Sequence, residues 1–218
     1  ASAAGRSVQC AVYGAQSQLK CWGRGTDGQI GDGFTQNRNT ATAVLSLDNI
    51  SKVEPNEAHT CAVRSDNTTF CWGSNSRGQL GIGSTVDANT PQEVTALTGR
   101  TVDVGTGVNH TCAVLDNGSV ACWGENYYGQ LGNGNQGGNS GAYDPSNDSS
   151  SPVMVSGINN AVKVAAGNEF TCTLLDNASV SCWGENYYGQ LGSGTPNLGT
   201  NFSFSDDDSA VPVNFALP

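Results

Sequence analysis

The sequence predicts an all-β fold: a β-propeller-like array of four repeats stapled by disulfides, whether an incomplete ring, an open arc or a small closed propeller. Three observations carry that expectation. One motif recurs four times, as CWGRGTDGQIG, CWGSNSRGQLG, CWGENYYGQLG and CWGENYYGQLG again, with its tryptophans at Trp22, Trp72, Trp123 and Trp183. Their intervals of 50, 51 and 60 residues fall in the range of propeller blades, and the wider last one needs only a loop insertion. Each copy also follows a second cysteine ten or eleven residues upstream. The third observation is composition: 29 glycines and one methionine in 218 residues, 37% apolar and 13% charged, suit short strands and tight turns around a core.

A repeat of this size cannot bury its own apolar face, so the units must stack. Residues 1–218 are therefore read as a single repeat domain, with units at about 1–48, 49–99, 100–159 and 160–218. The second and third units open with the strand-like stretches KVEPNEAHTC and TVDVGTGVNHTC. They then run through a cysteine hairpin into CWG, cross the GQLG loop and end in PQEV and PVMV, giving four short strands per unit. In the third hairpin Gly118 stands where a left-handed residue is wanted. Thr68 and Ala178 are read as its counterparts, and their turns are expected to be looser or built differently.

The cysteines pair by spacing as Cys10/Cys21, Cys61/Cys71, Cys112/Cys122 and Cys172/Cys182. Centring the third hairpin on Asn117 sets Ala113 against Ala121, Val114 against Val120 and Cys112 against Cys122. Directly opposite residues in a non-hydrogen-bonded pair sit roughly 4.5 Å apart at Cα, within reach of a disulfide. Buried thiols and a zinc site are the alternatives, although no histidine or second cysteine pair stands at ligand spacing within a unit. Four disulfides would place the chain outside a reducing cytosol, secreted or at a cell surface.

The combination of H-T-C-A-V, D-N-G-S-V, C-W-G-x-N-x-x-G-Q-L-G-x-G and a trailing P-x-x-V resembles the repeat of the regulator of chromosome condensation family. That resemblance implies a blade of a propeller known in seven-bladed form and covers nearly the whole chain. Seven units would need roughly 350 residues at this period. The cysteine pairs resemble those of secreted bacterial members and not the nuclear exchange factor. Nucleotide exchange on a small GTPase is therefore not carried over, whereas inhibition of secreted hydrolases through loops on one propeller face suits the compartment better.

No enzyme is expected. The only histidines, His59 and His110, share their slot with Val8 and Phe170, which marks a packing position, and no Ser-His-Asp arrangement can be assembled without them. No metal or other cofactor is expected. The alternative is calcium at the acidic loops DPSNDSSS or Asp206, Asp207 and Asp208. The net charge of -10, with nine scattered basic residues, excludes a nucleic-acid partner. There is no apolar run of eighteen residues and no charged-then-apolar leader, so no membrane span is expected.

Binding residues are sought where the units differ. The loop after tryptophan reads Arg24, Gly25, Thr26, Asp27 in the first copy and Ser74, Asn75, Ser76, Arg77 in the second. The last two copies carry the matching pairs Tyr127/Tyr128 and Tyr187/Tyr188, suited to protein contact or to sugar. The competing expectation is that one tyrosine of each pair packs on the neighbouring unit. Seven glycosylation sequons stand at Asn49, Asn67, Asn109, Asn117, Asn147, Asn177 and Asn201.

The first-strand valines Val53, Val104 and Val164 have Ser2 at their offset in the first unit, so most of that opening strand is expected to be missing. Ser2 at one end and Val211, Val213 and Phe215 at the other are then expected to form open edges that attract another copy. The resulting expectation is an extracellular, non-catalytic structural or binding protein that self-associates into a surface or fibre-like assembly. The alternative is a protein- or glycan-binding propeller module of a larger adhesin or secreted hydrolase inhibitor.

Overall fold

A computed structural model describes residues 2–136, 145–194 and 208–216. Among the described residues every strand belongs to one of four antiparallel four-stranded sheets. The first holds β1 (Ser2–Ala4), β2 (Val8–Tyr13), β3 (Gln18–Gly23) and β4 (Arg38–Ala43). The second holds β5 (Ile50–Pro55), β6 (His59–Arg64), β7 (Thr69–Gly73) and β8 (Ala88–Glu93). The third holds β9 (Thr101–Thr106), β10 (His110–Leu115), β11 (Val120–Gly124) and β12 (Ser149–Met154). The fourth holds β13 (Ala161–Ala166), β14 (Phe170–Leu175), β15 (Ser179–Gly184) and β16 (Ser209–Ala216). The first strands of successive sheets pack together, β1 on β5, β5 on β9 and β9 on β13, as in the inner ring of a propeller.

The core explains why the units must stack. Each of its three clusters straddles a unit boundary and combines apolar residues of one unit with the tryptophan of the next: Trp72, Trp123 and Trp183. No cluster closes within one unit. All three of these indoles are fully buried, whereas Trp22 of the first unit is only partly covered.

The four bridges, Cys10–Cys21, Cys61–Cys71, Cys112–Cys122 and Cys172–Cys182, join the second and third strands of their own sheet, with Cα atoms 4.1 to 4.2 Å apart. In the third hairpin Cys112 faces Cys122, Ala113 faces Ala121 and Val114 faces Val120, the register expected from the sequence. The bridge of one unit faces the next, so Cys172 of the fourth unit is less covered than its counterparts.

Two expectations need correction. The left-handed counterpart of Gly118 (φ 79°) in the second hairpin is Asn67 (φ 70°), one residue before Thr68. Its turn is no looser: Asn67 N–H donates to Arg64 O at 2.9 Å, as Gly118 N–H does to Leu115 O. Ala178 (φ 65°) closes the same turn in the fourth hairpin, where its Cβ carries a left-handed penalty of roughly 1–2 kcal/mol. The other correction concerns the opening strand, which is shortened and not mostly missing: β1 has three residues where β5 has six, and Ser2, Ala3 and Ala4 pair with Ala11, Cys10 and Gln9.

Candidate binding face

The loop after each tryptophan is built as a lock between units. In the second unit, Gln79 accepts Arg77 N–H through its side chain, while its main-chain carbonyl accepts Trp123 Nε1–H at 2.9 Å and the Thr111 hydroxyl at 2.9 Å from the third unit. Gln29 receives Trp72 and Thr60 in the same way, and Gln130 receives Trp183 and Thr171. A carbonyl oxygen has two lone pairs, and here both are used. Gly81 lies under the indole: a Cβ on it would stand 2.7 Å from Trp123 Nε1, and its φ of 71° disfavours any side chain. Gly31 and Gly132 repeat that approach to Trp72 and Trp183.

The histidines belong to this lock. Thr111 spends its one hydroxyl proton on Gln79 O, so at 2.9 Å it accepts from His59 Nε2–H. His110 meets Thr171 likewise at 2.9 Å. Both rings are fully buried and their Nδ1 atoms have no partner, so burial lowers His59 to about 4 and His110 to about 3.

Carboxylates close the loops. Asp87, Asp148 and Asp208 accept the N–H groups of Asn75, Asn126 and Asn186, whose side chains in turn accept Leu80, Leu131 and Leu191 N–H. Thus Asp148 and Asp208, read as calcium candidates, hold the backbone here. Asp144, Asp206, Asp207 and the sequon Asn201 lie outside the described residues. Among the described residues no group of three or more His, Cys, Asp or Glu is arranged to hold a metal ion. The sequon amides of Asn67 and Asn109 are engaged, donating to Thr101 O and Glu125, whereas Asn117 and Asn177 are exposed on hairpin turns.

The variable loop positions line one face. Arg24 pairs with Glu57 of the second unit at 3.4 Å and with Asp27 at 3.0 Å, while Arg77 reaches Glu125 of the third at 3.8 Å. Both arginines therefore bridge units. Near Arg77, Glu125 and Glu185 lie close to Glu169, and Glu169 and Glu185 lie close to Tyr128. Burial first, then the charges of Glu125 and Glu185, push Glu169 up to about 8, although Gln130 donates to it at 2.9 Å. Burial also raises Glu125 and Glu185, and it carries Tyr128 up to about 12 with help from Glu185.

In each pair the rings meet edge to face, with centroids 4.7 Å apart. Tyr127, Tyr128 and Tyr187 are half-buried, and Tyr188 is 81% exposed. The fourth unit shelters Tyr128, which lies beside Glu169 and Glu185. Of the edge residues, Ser2 and Val211 are exposed, Val213 is half-buried opposite Cys182, and Phe215 stands opposite Val180 in β16. Sequence reasoning missed the lock because a main-chain acceptor has no residue signature. The recurrence of glutamine before each L/I-G was the available signal.

Four-stranded sheets repeated about an inner ring, locked by a tryptophan and bearing loops on one face, define a β-propeller-type binding scaffold. The chain belongs to the family of the regulator of chromosome condensation (RCC1) repeat, matched at residues 66–114 and 117–174, and by a second profile of that repeat at 102–130 and 161–190. It is 30% identical over 179 residues to the ultraviolet-B receptor UVR8 of Arabidopsis thaliana, covering 79% of this chain and 38% of the receptor. It is 28% identical over 192 residues to the E3 ubiquitin-protein ligase HERC2 of Homo sapiens, covering 85% of this chain and 4% of the ligase. Human WBSCR16 shares the fold with a TM-score of 0.79 at 20% identity, over 100% of this chain and 53% of that one. Prp20p of Saccharomyces cerevisiae does so with a TM-score of 0.77 at 19% identity, over 98% and 49%. The chain thus spans about half of these solved chains and less of the curated relatives. No helix among the described residues is long and apolar enough to cross a membrane.

Proposed function

We propose that this chain is a non-catalytic binding and assembly module that works outside a reducing cytosol and associates with copies of itself. The observation that carries the reading is the pair of matching edge-to-face tyrosine couples on the loops, Tyr127/Tyr128 and Tyr187/Tyr188, with Tyr188 81% exposed. Accessible tyrosines of this kind offer large contact area with a polar tip. All eight cysteines are in disulfides, which supports a secreted or cell-surface setting. Relatives support a binding role by analogy, since the solved Prp20p is described by its binding to Gsp1p and histones.

Sedimentation of the oxidised chain over a wide concentration range tests this. Mass is expected to rise with concentration, and replacing Tyr127, Tyr128, Tyr187 and Tyr188 by serine should weaken the association while the sheet signal in circular dichroism persists. A compact monomer at every concentration would overturn self-association. The second reading, a protein- or glycan-binding module of a larger adhesin or hydrolase inhibitor, is favoured by the chain spanning only about half of the solved propellers.

A further inference from the structure

We propose that a cavity between the third and fourth units, on the face opposite the tryptophan loops, takes an arginine side chain of a partner protein, with Asp116 and Asp176 as its counter-charges. The inference goes beyond the reading above, which places contact on the tyrosine loops.

Topology sets the place. Because the four strands of each sheet run antiparallel in chain order, the cysteine hairpins and the links between units emerge on one face and the tryptophan loops on the other. At the boundary between the third and fourth units this hairpin face holds a cavity of about 400 Å³, within the size range of ligand sites. The boundary is internal: Ala161 N–H of the fourth unit donates to Gly118 O of the third at 2.8 Å, and both residues line the cavity.

Its lining selects the occupant. Val102 and Val162, 48% and 44% exposed, supply apolar wall, and Asp116 and Asp176 supply the charge. Asp176 accepts the Asn160 amide at 2.7 Å, and no lysine or arginine lines the cavity.

The same face one unit earlier carries cations of its own. There Arg64, at the repeat position of Leu115 and Leu175, pairs with Asp48 at 3.2 Å and with Asp66 at 4.0 Å. Arg100, at the position of Asn160, lines a cavity of about 160 Å³ together with Asp66 and Glu93. The boundary between the third and fourth units has carboxylates, a larger space and neither arginine. A guanidinium suits that space better than an ammonium, because its flat fork can donate to two carboxylates while its aliphatic stem lies along the valines.

Titration of the oxidised, isotope-labelled chain with a blocked Gly-Arg-Gly tripeptide, followed by nuclear magnetic resonance, tests the site. The amide signals of Asp116, Asn160 and Val162 are expected to shift and saturate in the millimolar range, and those of Tyr127 and Tyr128 to stay in place. Asp116→Asn combined with Asp176→Asn should weaken binding roughly tenfold or more. Asn160→Arg, which restores the arginine of the preceding unit and removes no carboxylate, should weaken it by a similar factor. All three positions are exposed or half-buried, and circular dichroism checks that the sheets persist. A peptide with citrulline for arginine, uncharged and nearly isosteric, should leave the signals unmoved. Equal binding of the citrulline or the lysine peptide overturns the guanidinium assignment. No shift with the arginine peptide, shifts that survive in both variants, or saturation of the same signals by N-acetylglucosamine instead overturns the site, and none of these outcomes bears on self-association, which sedimentation reads.

Discussion

The carbonyl oxygen of Gln79 and the indole nitrogen of Trp123 lie 2.9 Å apart on opposite sides of the boundary between the second and third units. Because three such bonds join four units, tryptophan substitutions should rank by position. Trp123→Phe removes the bond and leaves a gap at a fully buried site, with an expected cost of about 1–3 kcal/mol. Trp22→Phe, at a partly exposed site, should cost less than about 0.5 kcal/mol in the monomer. Urea denaturation of the two variants checks the order, and equal losses would remove the indole's role as lock.

Backbone strain offers a gain. Ala178→Gly relieves a left-handed alanine at φ 65° and should raise stability by roughly 1 kcal/mol, whereas Gly118→Ala at φ 79° should lower it by a similar amount or more. Opposite shifts in thermal midpoint are the expected outcome.

The acid limb of the stability profile should report the buried histidines. Their folded values of about 4 and 3 lie below the 6.5 of an exposed imidazole, so the unfolded chain binds more protons and stability falls as pH drops from about 6.5 toward 3. His59→Val with His110→Phe, residues already used in that slot by Val8 and Phe170, should flatten this limb. Glu169 works in the other direction. Raised to about 8 from 4.5, it is protonated in the folded chain and ionised in the unfolded one, so its contribution is lost as pH rises through that window. Glu169→Gln should remove that loss, and urea midpoints measured against pH would separate the two effects.

Reduction should be ordered. Cys172 is half-buried where the other bridged cysteines are buried, so limited dithiothreitol under native conditions is expected to open Cys172–Cys182 first. Alkylation followed by peptide mapping reads the order, and random opening would contradict it.

Most of the fold was legible because the same residues return four times. A hairpin centred on Asn117 fixed both the strand register and the cysteine partners by counting alone. The same counting slipped by one at Thr68, where asparagine, a residue tolerant of positive φ, already filled the left-handed place. Less of the face could be read. Asp148 and Asp208 looked like cation ligands because loop closure by a carboxylate has no fixed spacing: Asp87 lies 12 residues beyond Asn75, but Asp148 lies 22 beyond Asn126. Nor could Tyr128 and Tyr188 be told apart, since identical loops acquire different exposure only from what stacks beside them.

Every covalent staple is private to its unit, and none crosses a boundary. Under tension applied to its two ends the chain therefore has two mechanical grades of joint. Stacking contacts between units can peel apart and re-form, while each hairpin stays latched and withholds the chain between cysteines 10 or 11 positions apart. That withheld length is about 35 Å of contour per unit. An array assembled from such units would lengthen in discrete steps and keep in each unit the folded seed from which its sheet can close again.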